Sequence, residues 1–477
     1  MDNNLIYDVN EKPPFGKNFL FALQQLLSII AATMLVPVVV DKTGIYLSQS
    51  SALIGAGVGT IIYLLITRFK SPVFLGSSFA FVTPLTTAVA FGYFGIVLGA
   101  IFAGLVYVII ALIIKFAGTD WINKIMPPII IGPVVALIGF DLAGSAINNV
   151  VSNGVTGGYN LVSILIGVIT FLSVVVISAK GSKKIKMYPF VLGILIGYIL
   201  AVILTLIGNL TSCAYLQIID FTPLKKIADF KNWIPNITII GAIKEGTAKF
   251  NSFADVLTIF IAFVPIALVS FAEHIADHKN ISSIINKDLL KDPGLDKTLL
   301  GDGIGSIAGA FMGGCPNTTY GESIGCVALS KNASTRTILT AAIMSIVIAF
   351  VYPIIAFFET IPSCVIGGVS IALYGFISVS GLRMIKDIDL NETRNLFVVA
   401  AIFICGIGGL KLKFGSVVIS NIACALVIGI VTNLCLSTKR KKNMISENSS
   451  LLESEESVID DETQNEERSN DDANKDK

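Results

Sequence analysis

"GGCPNTTYGESIG", residues 313–325, crowds Gly, Pro, Asn and Thr around one carboxylate, Glu322, inside an otherwise apolar region. A proline inside a helix removes a backbone donor and clashes with the preceding turn. The segment is therefore a poor lipid-facing helix. Irregular backbone at membrane depth persists only where it is buried in protein or lines a cavity. A second stretch has the same character: "SPVFLGSSFAFVTP", residues 71–84, with two prolines and a Gly-Ser-Ser step.

Composition sets these breaks in a membrane. The chain has 477 residues, 54% hydrophobic and only 14% charged, whereas soluble domains average about a quarter charged residues. Mean hydropathy is +0.79. A span needs about 20 predominantly apolar residues, and such runs fill most of the chain. The fold class expected is an all-α polytopic membrane protein. A net charge of +1 gives no pointer to nucleic acid. The seven cysteines are scattered without a CxxC pair and read as small apolar fillers. Residues 1–18 are polar and precede an apolar run too long for a cleaved leader.

About fourteen transmembrane segments are expected. The first half holds 19–40, 51–67, 73–92, 94–116, 127–151, 161–179 and 188–210. The second holds 256–277, 299–313, 316–330, 338–358, 361–382, 396–410 and 414–436. Lys and Arg mark cytoplasmic loops. They cluster in every second loop, with Arg68 and Lys70, Lys180 to Lys186, Lys279 to Lys297, Lys331 and Arg336, and Arg383 to Arg394. Both termini are therefore expected in the cytoplasm of a cell-membrane protein. The segment 213–252 reads as an extracellular loop dividing two sets of seven, 19–212 and 253–436. An odd number per set inverts the second relative to the first, the arrangement of many secondary transporters. A faint internal echo agrees: "IGPVVALIGF" at 131–140 against "GGVSIALYGF" at 367–376. Both broken stretches fall third in their set. Residues 437–477, rich in Ser, Asn, Asp and Glu, are expected to be a disordered acidic cytoplasmic tail.

"FAEHIADHKN", residues 271–280, carries a glutamate, an aspartate and both histidines of the chain. A carboxylate at bilayer depth costs about 2.5–3.5 kcal/mol on insertion scales, so each one needs a purpose. Glu273 and Asp277 share a helical face at i, i+4, and Glu322 sits in the second break. A carboxyl among other carboxyls in low dielectric holds its proton more tightly than in water. Glu273, Asp277 and Glu322 are the candidates for proton coupling. Asp302 and Asp141 complete the intramembrane acids. His274 points about 100° from Glu273, and His278, beside Lys279, is expected at the membrane surface.

These motifs resemble the nucleobase–ascorbate transporter (nucleobase–cation symporter-2) family, in its uracil permease branch. The stretches that carry it are "ATMLVPVVV", "GSSFAFVTP", "FAEHIADH", "PNTTYGESIGCVALSK" and "IGGVSIALYGF", with "YDVNEKPPFGKN" near the start. The similarity runs from about residue 7 to about residue 436. It implies two inverted seven-segment repeats with short strands in segments 3 and 10. It also implies a core domain (spans 1–4 and 8–11) beside a gate domain (spans 5–7 and 12–14). The function implied is uracil import by proton symport, with an elevator-like movement of the core and a homodimer formed through the gate domain. By motif, Glu273 and Glu322 match substrate-contacting glutamates. Phe79, Tyr320 and Gly321 match aromatic and backbone contributors to the pocket. Ala32 matches a first-span wall and Tyr374 a gate-side residue. No cofactor or metal is expected beyond the proton gradient, and no enzymatic activity.

Three positions depart from the family pattern. Asp277 stands where some uracil members carry histidine; an aspartate there resembles purine-transporting relatives. Gln25 replaces the histidine of a Gln-His pair, and Ser323 replaces an asparagine. These keep a xanthine- or guanine-type oxopurine substrate open. Two further alternatives are an anion transporter on the same fold and an intramembrane metalloenzyme. The first would favour basic residues over Glu273 and Glu322. The second would use His274 and His278, at zinc-like spacing, with Glu322 as third ligand.

Overall fold

A computed structural model describes residues 5–436 apart from 42, 120, 122–126, 156, 183–184, 387 and 415–416. The acidic tail expected at 437–477 lies outside the described residues. In the first half the helices are α1 (Phe15–Val40), α2 (Gln49–Ile66), α3 (Val82–Val89), α4 (Gly92–Ala117), α5 (Pro128–Val151), α6 (Leu161–Lys180) and α7 (Pro189–Leu210), with strand β1 (Leu75–Ser77) before α3. Short helical turns and α8 (Thr238–Glu245) follow. The second half has α9 (Phe253–Ile285), α10 (Leu295–Gly313), β2 (Asn317–Thr319), α11 (Gly321–Ser330), α12 (Thr335–Ala349), α13 (Tyr352–Glu359), α14 (Ser363–Met384) and α15 (Thr393–Ile407). A hairpin, β3 (Leu412–Phe414) with β4 (Val417–Ile419), leads to α16 (Asn421–Leu436).

Eight of these helices are long and apolar enough to cross a membrane: α1, α2, α4, α5, α6, α7, α9 and α14. The pair α12 and α13, bent by 79°, makes a ninth if counted as one span. The bend was not foreseen in the single span expected at 338–358. It falls where Pro353, in the first turn of α13, forbids continuation of α12. The expected eighth span ended at 277, but α9 runs on to a left-handed Asn286. This extension corrects the expected exposure of His278, which lies within a helix and is fully buried by its neighbours.

Both expected interruptions are present. Helix α10 stops at Gly314, whose φ of +77° suits glycine, and Cys315-Pro316 leads straight into β2. Strand β1 meets β2 antiparallel, with Leu75 opposite Thr319, Gly76 opposite Thr318 and Ser77 opposite Asn317.

Close helix contacts hold the strands in place. Helices α2 and α10 cross antiparallel on glycines: a Cβ on Gly59 would meet Gly305 O at 2.8 Å, and one on Gly309 would meet Gly55 O at 2.8 Å. Small residues permit such approach in membranes, where packing rather than hydrophobicity drives association. Helices α5 and α14 do the same, with Gly132 against Gly381 O at 2.8 Å and Gly367 against Ala146 O at 2.8 Å. Helices α1, α2, α4, α9, α10 and α12 pack among themselves, and α5, α6, α7, α14 and α15 among themselves. The outer helices α6 and α7 expose Leu165, Leu172, Val176, Ile199, Ile203 and Leu206, an apolar surface suited to lipid.

Candidate functional site

The two strands create the site by what they leave open. Their short ladder is extended by Ser78 N donating to Pro316 O at 3.0 Å and Tyr320 N donating to Phe74 O at 3.2 Å. Thr60 Oγ1 on α2 accepts from Leu75 N at 2.9 Å and donates to Leu75 O at 3.1 Å, satisfying the outer edge of β1. Asn317 Nδ2 reaches Gly55 O at 2.8 Å through the gap between the glycine-lined helices. Each strand then gives way to a helical start. The 3₁₀ turn Phe79–Phe81 leads into α3, and α11 begins at Gly321 with Glu322 in its first turn. Helix N-termini present unpaired N–H groups and partial positive charge.

These starts border a cavity with about 410 Å³ of empty space. Ser78, Phe79 and Ala80 line it from the first break, and Thr318, Thr319, Tyr320, Gly321 and Glu322 from the second. Glu273 enters from α9, while Ile138 of α5 and Ile377 of α14 close the far side. Tyr320 Oη donates to Ser77 O at 2.7 Å, which locks its ring across the strand pair. Asp277, one turn beyond Glu273, accepts from Thr319 Oγ1 at 2.5 Å. The ring of Phe79 meets Tyr374 edge-on, with centroids 5.7 Å apart.

Of the residues singled out by sequence, the structure brings Glu273, Glu322, Phe79, Tyr320 and Gly321 to one wall. Asp277 and Tyr374 each touch a lining residue. Ala32 is buried on α1 and does not line this cavity. Thr318, Thr319, Ser78, Ala80, Ile138 and Ile377 are additional members. A three-residue strand is too short for its alternation to be read from sequence. Ile138 and Ile377 are indistinguishable from other helix-packing isoleucines.

The remaining polar residues make their contacts away from this cavity, although Asp302 Oδ1 has no hydrogen-bond partner. His274 Nδ1 is 2.7 Å from Asp302 Oδ2, and its Nε2 is 3.2 Å from Thr298 Oγ1, all buried. His278 Nδ1 is 2.8 Å from His274 O, and its Nε2 is 2.7 Å from Tyr63 Oη, which donates to Ser71 Oγ at 2.7 Å. With both histidines tied in this way, the zinc-like spacing does not assemble a site. Among the described residues no cluster of His, Cys, Asp and Glu could hold a metal. Asp141 stands apart from the carboxylate trio, accepting from Thr83 Oγ1 at 3.1 Å and Asn421 Nδ2 at 2.7 Å. Gln25 Nε2 donates to Ser323 Oγ, which also accepts from Phe74 N at 3.2 Å. Two of the three departures from the family pattern therefore touch each other.

Comparison with known proteins gives a consistent picture. The chain is 35% identical over 456 residues to the uracil permease of Bacillus caldolyticus, covering 94% of this chain and 99% of that one. It is 34% identical to the uracil permease of Escherichia coli K12, covering 89% and 92%. Among solved structures, the transmembrane domain of the cyanobacterial bicarbonate transporter BicA aligns with TM-score 0.54 and 13% identity, over 90% of this chain and all of that one. Murine solute carrier 26 family member A9, an anion transporter in its inward-facing state, aligns with TM-score 0.60 and 11% identity, over 90% and 69%. At such identity the structural likeness speaks for fold alone. The permease family (xanthine and uracil permeases) matches residues 16–414, and with strands, cavity and near full-length relatives in agreement, this chain belongs to that family of membrane permeases and not to an enzyme family.

Proposed function

We propose that the chain imports uracil by proton symport. The observation that carries this reading is the convergence of Glu273, Glu322, Phe79 and the backbone at Tyr320-Gly321 on one cavity between two helix starts. A planar cyclic imide offers ring N–H groups to carboxylates, ring oxygens to backbone N–H donors, and a flat face to an aromatic side chain. Asp277 and Glu322 beside Glu273 supply the acids through which a proton is coupled to the substrate. The names of the curated relatives support uracil as the base.

The architecture proposed is fourteen segments in two inverted repeats, 19–212 and 253–436. Its support is that elements seven segments apart pair with each other antiparallel: α2 with α10, β1 with β2, and α5 with α14. Cross-pairs recur in the same sense, α2 with α12 mirroring α10 with α4. The two helix groups of the fold are read as a core domain (α1–α4 and α9–α13, strands included) and a gate domain (α5–α7 and α14–α16). The cavity lies at their seam, which suits an elevator-like movement of the core. Cytoplasmic termini and a homodimer through the gate domain complete the proposal.

The test is uptake of radiolabelled uracil into proteoliposomes, with and without an imposed inward proton gradient, for wild type, Glu273→Gln and Glu322→Gln. Gradient-stimulated accumulation by wild type and its loss in both variants is the expected result. Normal accumulation by both variants would sink the site assignment. The oxopurine reading keeps its footing in Asp277, and competition by unlabelled xanthine and guanine against uracil decides between the bases.

A further inference from the structure

A second, narrow cavity, with room here for little more than a water molecule, lies along the same seam. One wall carries Met34 of α1, Gln49 at the start of α2 and Phe358 of α13. The other carries Ile194 of α7, with Ile366 and Val369 of α14. From Ile366 the helix α14 descends about 16 Å, at 1.5 Å per residue, to Ile377 in the wall of the central cavity. In the opposite direction the second cavity shares Val38 and Ile366 with a larger, polar opening of about 1190 Å³ that holds Asp220 and Glu359. Along α14 it therefore lies between that opening and the central cavity, with which it shares no lining residue, and the Phe79–Tyr374 contact stands between the two.

Its lining is apolar apart from Gln49. That side chain is only 8% exposed, and its Oε1 has no hydrogen-bond partner. A buried acceptor left unpaired is destabilising, and a transient ligand donor would relieve it. An amide and an aromatic ring on one wall suit a small planar heterocycle bearing ring N–H groups.

We propose that this cavity is a transient subsite for a planar cyclic imide on its way between the polar opening and the central site. Gln49 Oε1 accepts a ring N–H there and Phe358 covers the ring face. The inference rests on the nucleobase-permease reading and goes beyond it by adding a second station. The two walls belong to the two helix groups, so the cavity widens to admit a ring when those groups separate.

Gln49→Leu, close in volume, and Phe358→Leu test the proposal in the full-length protein. Two readouts are needed: uracil uptake kinetics in proteoliposomes and equilibrium uracil binding by purified protein. Each variant is expected to raise the half-saturating concentration for uptake about five- to tenfold while equilibrium binding stays within twofold. A role confined to folding moves both readouts together, and that result overturns the subsite. So does wild-type uptake kinetics in both variants, which leaves the permease reading standing. Absence of uracil binding and uptake in wild type removes the permease reading and the subsite with it.

Discussion

Thr319 Oγ1 donates to Asp277 Oδ2 at 2.5 Å, joining strand β2 to helix α9 one turn from Glu273. A carboxylate accepts this bond with either oxygen, and an asparagine accepts it with one. Asp277→Asn is therefore expected to preserve the fold and to keep uracil affinity within about threefold. What it removes is a titrating group. Gradient-driven accumulation should fall to the level reached without a gradient, while exchange of internal for external uracil persists. Accumulation equal to wild type would take Asp277 out of the coupling scheme.

Glu322 and Glu273 are read as ionic acceptors for ring N–H groups. A charge-assisted hydrogen bond contributes about 1.5–3 kcal/mol, so Glu322→Gln should weaken equilibrium uracil binding roughly 10- to 150-fold. Isothermal titration of the purified variant measures this directly. A loss under threefold would place the substrate away from Glu322.

The crossing of α2 and α10 depends on missing side chains. A methyl on Gly309 would sit 2.8 Å from Gly55 O and press on the Asn317 amide. Gly309→Ala is expected to cut the yield of monodisperse protein several-fold. Gly144→Ala, with nothing within 4 Å of the added carbon, serves as the control. Equal yields and melting temperatures would show that the crossing tolerates the extra carbon.

Asp141 links the two helix groups by accepting from Thr83 on α3 and from Asn421 on α16. Movement of one group past the other must break the Thr83 bond. This bond is exposed, and a typical hydrogen bond contributes about 0.5–1.5 kcal/mol. Thr83→Val should accordingly change turnover by about two- to tenfold with little effect on equilibrium affinity. Unchanged turnover would mean that this contact survives the transport cycle or does not limit it.

Asp41, just beyond α1, orders the loop to α2. Its carboxylate accepts from Thr43 Oγ1 at 2.5 Å and from the backbone N–H groups of Thr43, Tyr46 and Leu47 at 3.0, 2.8 and 3.1 Å. Burial pushes its pKa up, but these hydrogen bonds outweigh burial and hold it below the ordinary carboxylate value. The sign follows from linkage. The stabilisation is complete above the unfolded-state pKa of about 4 and fades as pH falls through the lower folded value. Asp41→Asn should lower the melting temperature at pH 7, and the gap from wild type should narrow below about pH 4. A gap independent of pH would assign the loss to packing.

The sequence by itself determined the membrane class, the two interruptions and the main acidic candidates, because each is a local or compositional property. Apolar content, prolines and glycines interrupting an apolar run, and a carboxylate in an oily run are visible without knowing what lies opposite. Only the tertiary structure decided which of those groups meet. His274 and Asp302 form a buried pair 28 positions apart, and Gln25 reaches Ser323 across 298. His278 was misjudged from its neighbour Lys279, since whether a residue is buried depends on what packs beside its helix; here Tyr63 does. The unpaired Gln49 amide was equally invisible, because an unpaired group is defined by its surroundings, and those come from helices distant in the chain.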